Sequence, residues 1–195
     1  LSVINNTVLV DVKEGYIFVT STNLKETLIS KMQIDAEYEF NFVIDRKLFL
    51  NTLQAVNKND GCEFFVKDNK VFINDFSLNY ISSELFPIIP ASEELLFEIS
   101  ATKLKTMYQS KEFVSNFFTD GYIQNILMER FDDNVFFTAT DSKTIFLDNW
   151  FTKELEGCNA FLIPKDAIDL LQKANKFNYP VKFFRVSENT YSFEF

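Results

Sequence analysis

The sequence contains no histidine in 195 residues. That removes every histidine-based triad, general base and metal cage. Glycine is scarce: Gly15, Gly61, Gly121 and Gly157 are the only four, and no two lie close together. A glycine-rich loop that cradles phosphate cannot be built from them. No apolar run reaches the ~18 residues of a membrane-spanning helix, and no opening stretch reads as a signal peptide. Cys62 and Cys158 stand alone, with no Cys-x-x-Cys spacing. They read as two buried free thiols in a reducing, cytoplasmic setting. No cofactor and no metal site is expected.

Phenylalanine, by contrast, is abundant, at 24 residues, and with Ile, Val and Tyr it points to many strands. The chain is 47% hydrophobic and 24% charged, a globular composition able to fill a core without disulfides or metal. The formal charge of −9 looks hostile to nucleic acid. Net charge does not settle that, because its distribution sets the local field.

The sequence repeats itself at an offset of 118 residues. VIDRKLFLNTLQAVNK (43–58) lies over FLIPKDAIDLLQKANK (161–176), so that Lys47 meets Lys165, Leu53 meets Leu171, Gln54 meets Gln172 and Lys58 meets Lys176. The same offset lays IFVTSTNLK (17–25) over VFFTATDSK (135–143), and NTVLVD (6–11) over QNILME (124–129). Two tandem units follow, 1–88 and 89–195. The first is expected to lack an opening strand and helix, and the second a closing strand, as in a piece of a longer protein.

One unit reads as strand, helix, strands, helix, strands. In the second unit, 95–99 is a strand and Ser100 caps a helix over 101–111, with Ala101, Leu104, Met107 and Tyr108 at helical spacing. Phe117, Asp120 and Gly121 fall in a turn region. Segments 122–130, 134–140, 143–151 and 158–163 are strand-like, the first two joined by Phe131-Asp132-Asp133. Pro164 suits a first helical position, and 165–175 is amphipathic through Ala167, Ile168, Leu171 and Ala174. Segments 181–186 and 190–195 form a hairpin. The two prolines of SSELFPIIPASE (83–94) mark a linker. The fold class is α+β, antiparallel because the strand connections are too short for crossovers.

Basic charge sits on the predicted helices. Segments 46–58, 100–111 and 164–178 hold Arg46, Lys47, Lys58, Lys103, Lys105, Lys111, Lys165, Lys173 and Lys176 against Asp166 and Asp169 only. Lysines on the solvent faces of amphipathic helices are common, and that is the plain alternative. The sharper one is a helical face that meets phosphates without reading sequence, on a protein otherwise acidic. Lys103, Lys105 and Lys111 do not share one helix face, so at least one is expected to point elsewhere.

Taken together, the segments resemble a known family, the bacterial sliding clamp (the beta subunit of DNA polymerase III). LSVINNTVLV is similar to its Leu-Pro-Ile-Leu stretch, and IFVTSTNLKETL to its Thr-Asp-Leu-Glu motif, with Asn23 in place of the usual acid. LFPIIP resembles its Phe-Pro linker. FFTATDSKTI is similar to its Ala-Thr-Asp-Gly-His-Arg-Leu motif, and FLIPKDAIDLL to its Val-Pro-Arg-Lys helix. The resemblance implies a DNA clamp fold of tandem duplicated domains, each with two helices packed on antiparallel sheets. It implies three domains per subunit and a homodimeric ring whose helices line the hole. On that resemblance, the match is expected to cover most of the first and second domains and none of the third. It further implies a processivity factor that encircles double-stranded DNA and tethers the replicative polymerase, a non-catalytic subunit. The nine basic residues named above are then the DNA-facing candidates, by summed field rather than tight contacts. The family's cleft for polymerase and clamp-loader peptides corresponds here to Ile123, Thr140, Asp141, Ser142, Lys143 and Ile145. The pattern departs at Ser142, where a glycine is usual, and at Lys143-Thr144, where His-Arg is usual. A local side-chain-to-backbone turn explains Thr140 and Asp141 equally well, since Thr22-Asn23 repeats it in the first unit.

Three other readings compete. An enzyme would need a paired acid and base, and the carboxylates Asp132-Asp133 and Glu93-Glu94 sit in turn or linker. A β-rich interaction module would never touch DNA, and reversing Lys165, Lys173 and Lys176 together discriminates: loss of loader-dependent function supports the ring, and no change favours the module. A two-domain clamp could close as a trimer. The piece itself is expected to be a monomer, because head-to-tail closure needs the missing domain.

Overall fold

The computed structural model describes residues 4–56, 61–90, 94–115, 121–151, 160–187 and 190–195. It divides into two compact units, Leu1–Ile89 and Pro90–Phe195. The first contains β1 (Thr7–Lys13), β2 (Tyr16–Thr22), β3 (Thr27–Gln33), β4 (Phe40–Asp45), α1 (Arg46–Ala55), β5 (Phe64–Lys67), β6 (Lys70–Ile73) and β7 (Phe76–Asn79). The second contains β8 (Glu94–Ile99), α2 (Ala101–Ser110), β9 (Asn125–Phe131), β10 (Asn134–Thr140), β11 (Ile145–Phe151), β12 (Ala160–Pro164), α3 (Lys165–Ala174), β13 (Val181–Ser187) and β14 (Thr190–Glu194). The α+β class read from the sequence holds, and every ladder among the described residues is antiparallel.

Each unit carries a four-stranded and a three-stranded sheet. The orders are β3-β2-β1-β4 and β5-β6-β7 in the first, β11-β10-β9-β12 and β14-β13-β8 in the second. Alternation drives the strands: in β1 the valines at 8, 10 and 12 turn inward, and in β10 so do Val135, Phe137 and Ala139. The β1–β2 hairpin closes on Glu14 and Gly15, at φ 52° and 76°. Two successive left-handed residues match the twist of the strands they join, and glycine accepts that conformation without strain.

Separate cores fill the units. In the first, Phe42, Ile44 and Phe49 pack with Val71 and Ile73. In the second, Leu104 and Met107 of α2 and Ile168 and Leu171 of α3 pack onto β8–β13, around Phe97. The Phe97 ring stacks on Phe183 (4.7 Å) and Phe161 (6.1 Å) and meets Trp150 edge-on (5.9 Å). Asp45 caps α1 by accepting from the Leu48 N–H (2.8 Å), and Ser100 caps α2 from Lys103 (3.4 Å). Pro164 is the last residue of β12 and the cap of α3, not its first helical residue as expected.

The repeat is visible in the elements, with one correction. β1, β2 and β3 become β9, β10 and β11 at the expected step: Thr7 to Asn125, Tyr16 to Asn134, Thr27 to Ile145. Beyond β3 the step grows by one residue. Val8 pairs with Ile44, whereas its counterpart Ile126 pairs with Ile163. The same shift makes the buried Phe49 and Thr52 of α1 equivalent to the buried Ile168 and Leu171 of α3. Arg46, not Lys47, is therefore the counterpart of Lys165. Of the identities that suggested otherwise, Lys47, Gln54, Lys165, Gln172 and Lys176 are at partly or fully exposed positions, where packing does not fix the register.

Smaller departures have simple causes. Residues 121–124 form a single 3-10 turn before β9 rather than its opening. Glu94 begins β8 and bonds Arg185 (3.3 Å), so it belongs to a strand and not to the linker. Cys62 is a free thiol, as expected, but exposed rather than buried, because it lies between α1 and β5, outside any strand. Lys58, Glu93, Phe117, Asp120 and Cys158 lie outside the described residues. No helix among the described residues is long and apolar enough to cross a membrane.

Candidate functional site

The basic candidates divide by environment. Arg46 and Lys47 open α1 and are exposed. Lys105 is exposed on α2, at the spacing of the exposed Thr102 and Gln109, which share its helix face. Lys173, in the last turn of α3, and Lys176 just beyond it are exposed; Lys165 at the start of α3 is half-buried.

Lys103 and Lys111 point elsewhere, as helix geometry required of at least one of them. The Lys103 ammonium donates to both carboxylate oxygens of Asp148 (2.9 Å each) and to the Asn149 carbonyl (2.7 Å), tying α2 to β11. Lys111 donates to the Asp169 carboxylate and to Gln172 Oε1 (2.6 Å each), tying α2 to α3. Both charges are spent inside the second unit. The Lys111 bond also neutralises Asp169, one of the two acids on α3. Among the described residues the field of these helices is thus set by the exposed Arg46, Lys47, Lys105, Lys173 and Lys176, with Lys165 beside Asp166. No group of three or more acidic, Cys or His side chains suited to a metal ion occurs among the described residues.

The cleft candidates gather at one end of the β11-β10-β9-β12 sheet. Thr140 closes β10, Ile145 opens β11, and Ile123 precedes β9 in the 3-10 turn. Between them runs a tight turn. Asp141 Oδ1 accepts from the N–H groups of Lys143 (2.9 Å) and Thr144 (2.7 Å) and from the Thr144 hydroxyl (2.8 Å). These bonds, chiefly those from Thr144, hold the Asp141 carboxyl down at about 2. Thr140 Oγ1 donates to the Thr144 carbonyl (2.7 Å) and accepts from the Ser142 N–H (3.1 Å). The first unit repeats all but the Thr144 hydroxyl bond: Asn23 Oδ1 accepts from the N–H groups of Lys25 (2.9 Å) and Glu26 (2.7 Å), and Thr22 Oγ1 donates to the Glu26 carbonyl (3.0 Å) and accepts from the Leu24 N–H (3.0 Å). Thr140 and Asp141 therefore have a complete structural role. Leu24 and Ser142 share a left-handed backbone, φ 72° and 74°. That is the physical reason a glycine suits position 142.

The apolar groups at this end are open to solvent. Ile145 is 73% exposed and Tyr122, beside Ile123, 82%. Sequence reasoning missed Tyr122, and also Phe131, Leu147 and Phe151 further along the sheet. Tyr122, Leu147 and Phe151 were read only as parts of strands and Phe131 as part of a turn, and alternation alone does not say which face is covered.

No family model matches the chain. It is 26% identical to the beta sliding clamp of Buchnera aphidicola subsp. Acyrthosiphon pisum over 190 residues, 93% of this chain and 52% of the relative. It is likewise 26% identical to the clamp of Buchnera aphidicola subsp. Rhopalosiphum padi, over 83% of this chain and 46% of the relative. The chain thus spans about half the length of the curated relatives it matches. Among solved structures, the DNA polymerase sliding clamp of Bacillus subtilis superposes with a TM-score of 0.86 at 18% identity, over 98% of this chain and 55% of that one. A DnaN sliding clamp from Bartonella birtlesii gives 0.83 at 20%, with the same coverage of both chains. The resemblance drawn from the motifs therefore holds along nearly the whole chain, which has the DNA clamp fold of the bacterial beta sliding clamps over about half of their length.

Proposed function

We propose that this chain is the first two domains of a sliding clamp, a non-catalytic processivity factor that encircles duplex DNA and tethers a replicative polymerase. The observation that carries the reading is the distribution of charge on this fold. On a chain of −9, the three helices are net basic: Arg46, Lys47, Lys105 and Lys173 are exposed on them, with Asp166 and Asp169 the only acids. The exposed lysines of the strands and turns lie instead among the many acids of the rest of the chain. The helices are the elements that would face the hole of a ring. Weak attraction to phosphates, with no reading of bases, suits a ring that must slide.

Arg46, Lys47, Lys105, Lys165, Lys173 and Lys176 are the residues assigned to that field; Lys58 belongs with them by sequence. Lys103 and Lys111 are withdrawn from the set, because their ammonium groups are already bonded. Ile123, Ile145 and the turn at Thr140–Lys143 form the second-domain side of a cleft for polymerase and clamp-loader peptides. Closure is by a homodimer of the longer protein, and this piece alone is a monomer. The compartment is the cytoplasm.

The test is duplex DNA binding by this chain across a salt series. Binding should be weak, indifferent to sequence and steeply salt-dependent. Changing Lys105, Lys173 and Lys176 together to Glu should lower the log–log salt slope by up to about 3, at roughly 0.9 for each phosphate no longer neutralised. Lys103→Ala and Lys111→Ala should leave it alone. An unchanged slope in the triple variant would point instead to an interaction module that does not use DNA.

A further inference from the structure

The outward face of the β11-β10-β9-β12 sheet differs in kind from its counterpart in the first unit. In the first unit, one row across the sheet is Lys31–Phe18–Asp11 and the next Gln33–Tyr16–Lys13. The face is complete in itself. Lys13 pairs with Asp11 (2.8 Å) and lies 5.2 Å from the Phe18 ring centre, while Lys31 sits over Tyr16 (4.0 Å) and Phe18 (5.6 Å). A carboxylate and two aromatic rings are all covered by cations of the same sheet.

The second unit keeps the carboxylate and one of the two rings, with Asn134 in place of Tyr16, and loses the cations. The equivalent rows are Asn149–Phe136–Glu129 and Phe151–Asn134–Phe131. Asp11 becomes Glu129 and Phe18 remains as Phe136. Lys13, however, becomes Phe131, Lys31 becomes Asn149, and Gln33 becomes Phe151. Glu129 is exposed and has no ion pair among the described residues. Phe131, Phe151 and Leu147 are 69%, 59% and 64% exposed. Large apolar side chains grouped around an unpaired carboxylate are unusual for a free surface.

We propose that this face docks a segment of another protein that supplies the missing cation, a lysine or arginine flanked by apolar side chains. The cation sits on Glu129 against the Phe136 ring, and the flanking groups cover Phe131, Phe151 and Leu147. Charge selects this occupant. Among the described residues the ionisable groups of the face and its adjoining turn are Glu129, Asp132 and Asp133 against the one cation Arg130, whose Nε donates to the Asp132 carbonyl (3.0 Å). The surplus is acidic, so two copies placed face to face repel, and nucleic acid is repelled as well. The surface runs along β9–β11, away from the Thr140–Ile145 turn, and does not depend on the clamp reading.

The probe is a synthetic decapeptide alternating Leu and Lys, with a Leu–Glu peptide as control, followed by fluorescence anisotropy and by backbone amide shifts. The Leu–Lys peptide should bind at least about tenfold more tightly, with shifts confined to β9, β10 and β11. Glu129→Gln, at an exposed site, should weaken it about tenfold. The double variant F131K/N149K copies the arrangement of the first unit and should abolish binding while melting like the parent. Failure of the Leu–Lys peptide to bind at millimolar concentration overturns the proposal. So does equal binding of both peptides, or an affinity indifferent to these variants. Self-association of the parent that F131K/N149K removes would make a second copy the occupant and overturn it too.

Discussion

At the scale of single residues, two groups report on the fold through pH. The Asp141 carboxyl sits at about 2, below its ordinary 3.8, because hydrogen bonds favour the charged form. A lowered pKa contributes stability that is present above the ordinary value and lost as pH falls through the lowered one. The turn should therefore loosen between pH 4 and 2, and the amide shifts of Lys143 and Thr144 should follow a titration near 2. Asp141→Asn should remove that titration while keeping the turn, as Asn23 does in the first unit. Tyr108 is the opposite case. Burial pushes its hydroxyl up to about 12 from 10, so its contribution is full below pH 10 and lost as pH rises through 12. Urea unfolding at pH 9 and pH 11.5 should show a smaller loss of stability for Tyr108→Phe than for the parent. The sequence named both residues but the titration of neither. Asp141 was legible as a turn because Thr22-Asn23 repeated it, whereas nothing near Tyr108 in sequence shows that its hydroxyl is buried.

Among the elements, the helices carry two kinds of lysine that look identical in sequence. Lys105 faces solvent. Lys103 and Lys111 each reach an acid on another element, 45 and 58 residues away. Helical spacing could say that the three do not share a face, but not which had a partner, because the partner is set by tertiary packing. The difference should be measurable. Lys111→Ala removes a tie between α2 and α3 and should cost about 1 kcal/mol in denaturant unfolding, a value suited to a partly exposed pair. Lys105→Ala should cost nothing beyond error. The strands were more legible. β10 was placed to the residue, because alternation is strong in NVFFTAT and turns bound it. The exposed apolar face of β9–β11 was not, since period-two alternation marks two faces without saying that both are apolar.

For the whole molecule, the order of elements and the duplication were both readable, and they were enough to identify the fold. On the proposed function, the expected state of this chain follows from closure. Light scattering at micromolar concentration should give a monomer of 22.8 kDa in low and moderate salt. A stable trimer, near ~68 kDa, would mean that this chain closes a ring of six units by itself. The step between the units also has a use. It is 118 residues through the first three strands and one more from β4 and β12 onward, so the extra residue falls between β11 and β12 in the sequence. A hybrid that exchanges the two halves should be spliced between β3 and β4, or between β11 and β12. Splicing at the matched lysines instead carries a one-residue error into α3, rotating it by about 100° and turning Ile168 and Leu171 away from the core. For anyone recombining clamp domains, the safe crossover point is set by strand pairing and not by the best local identity.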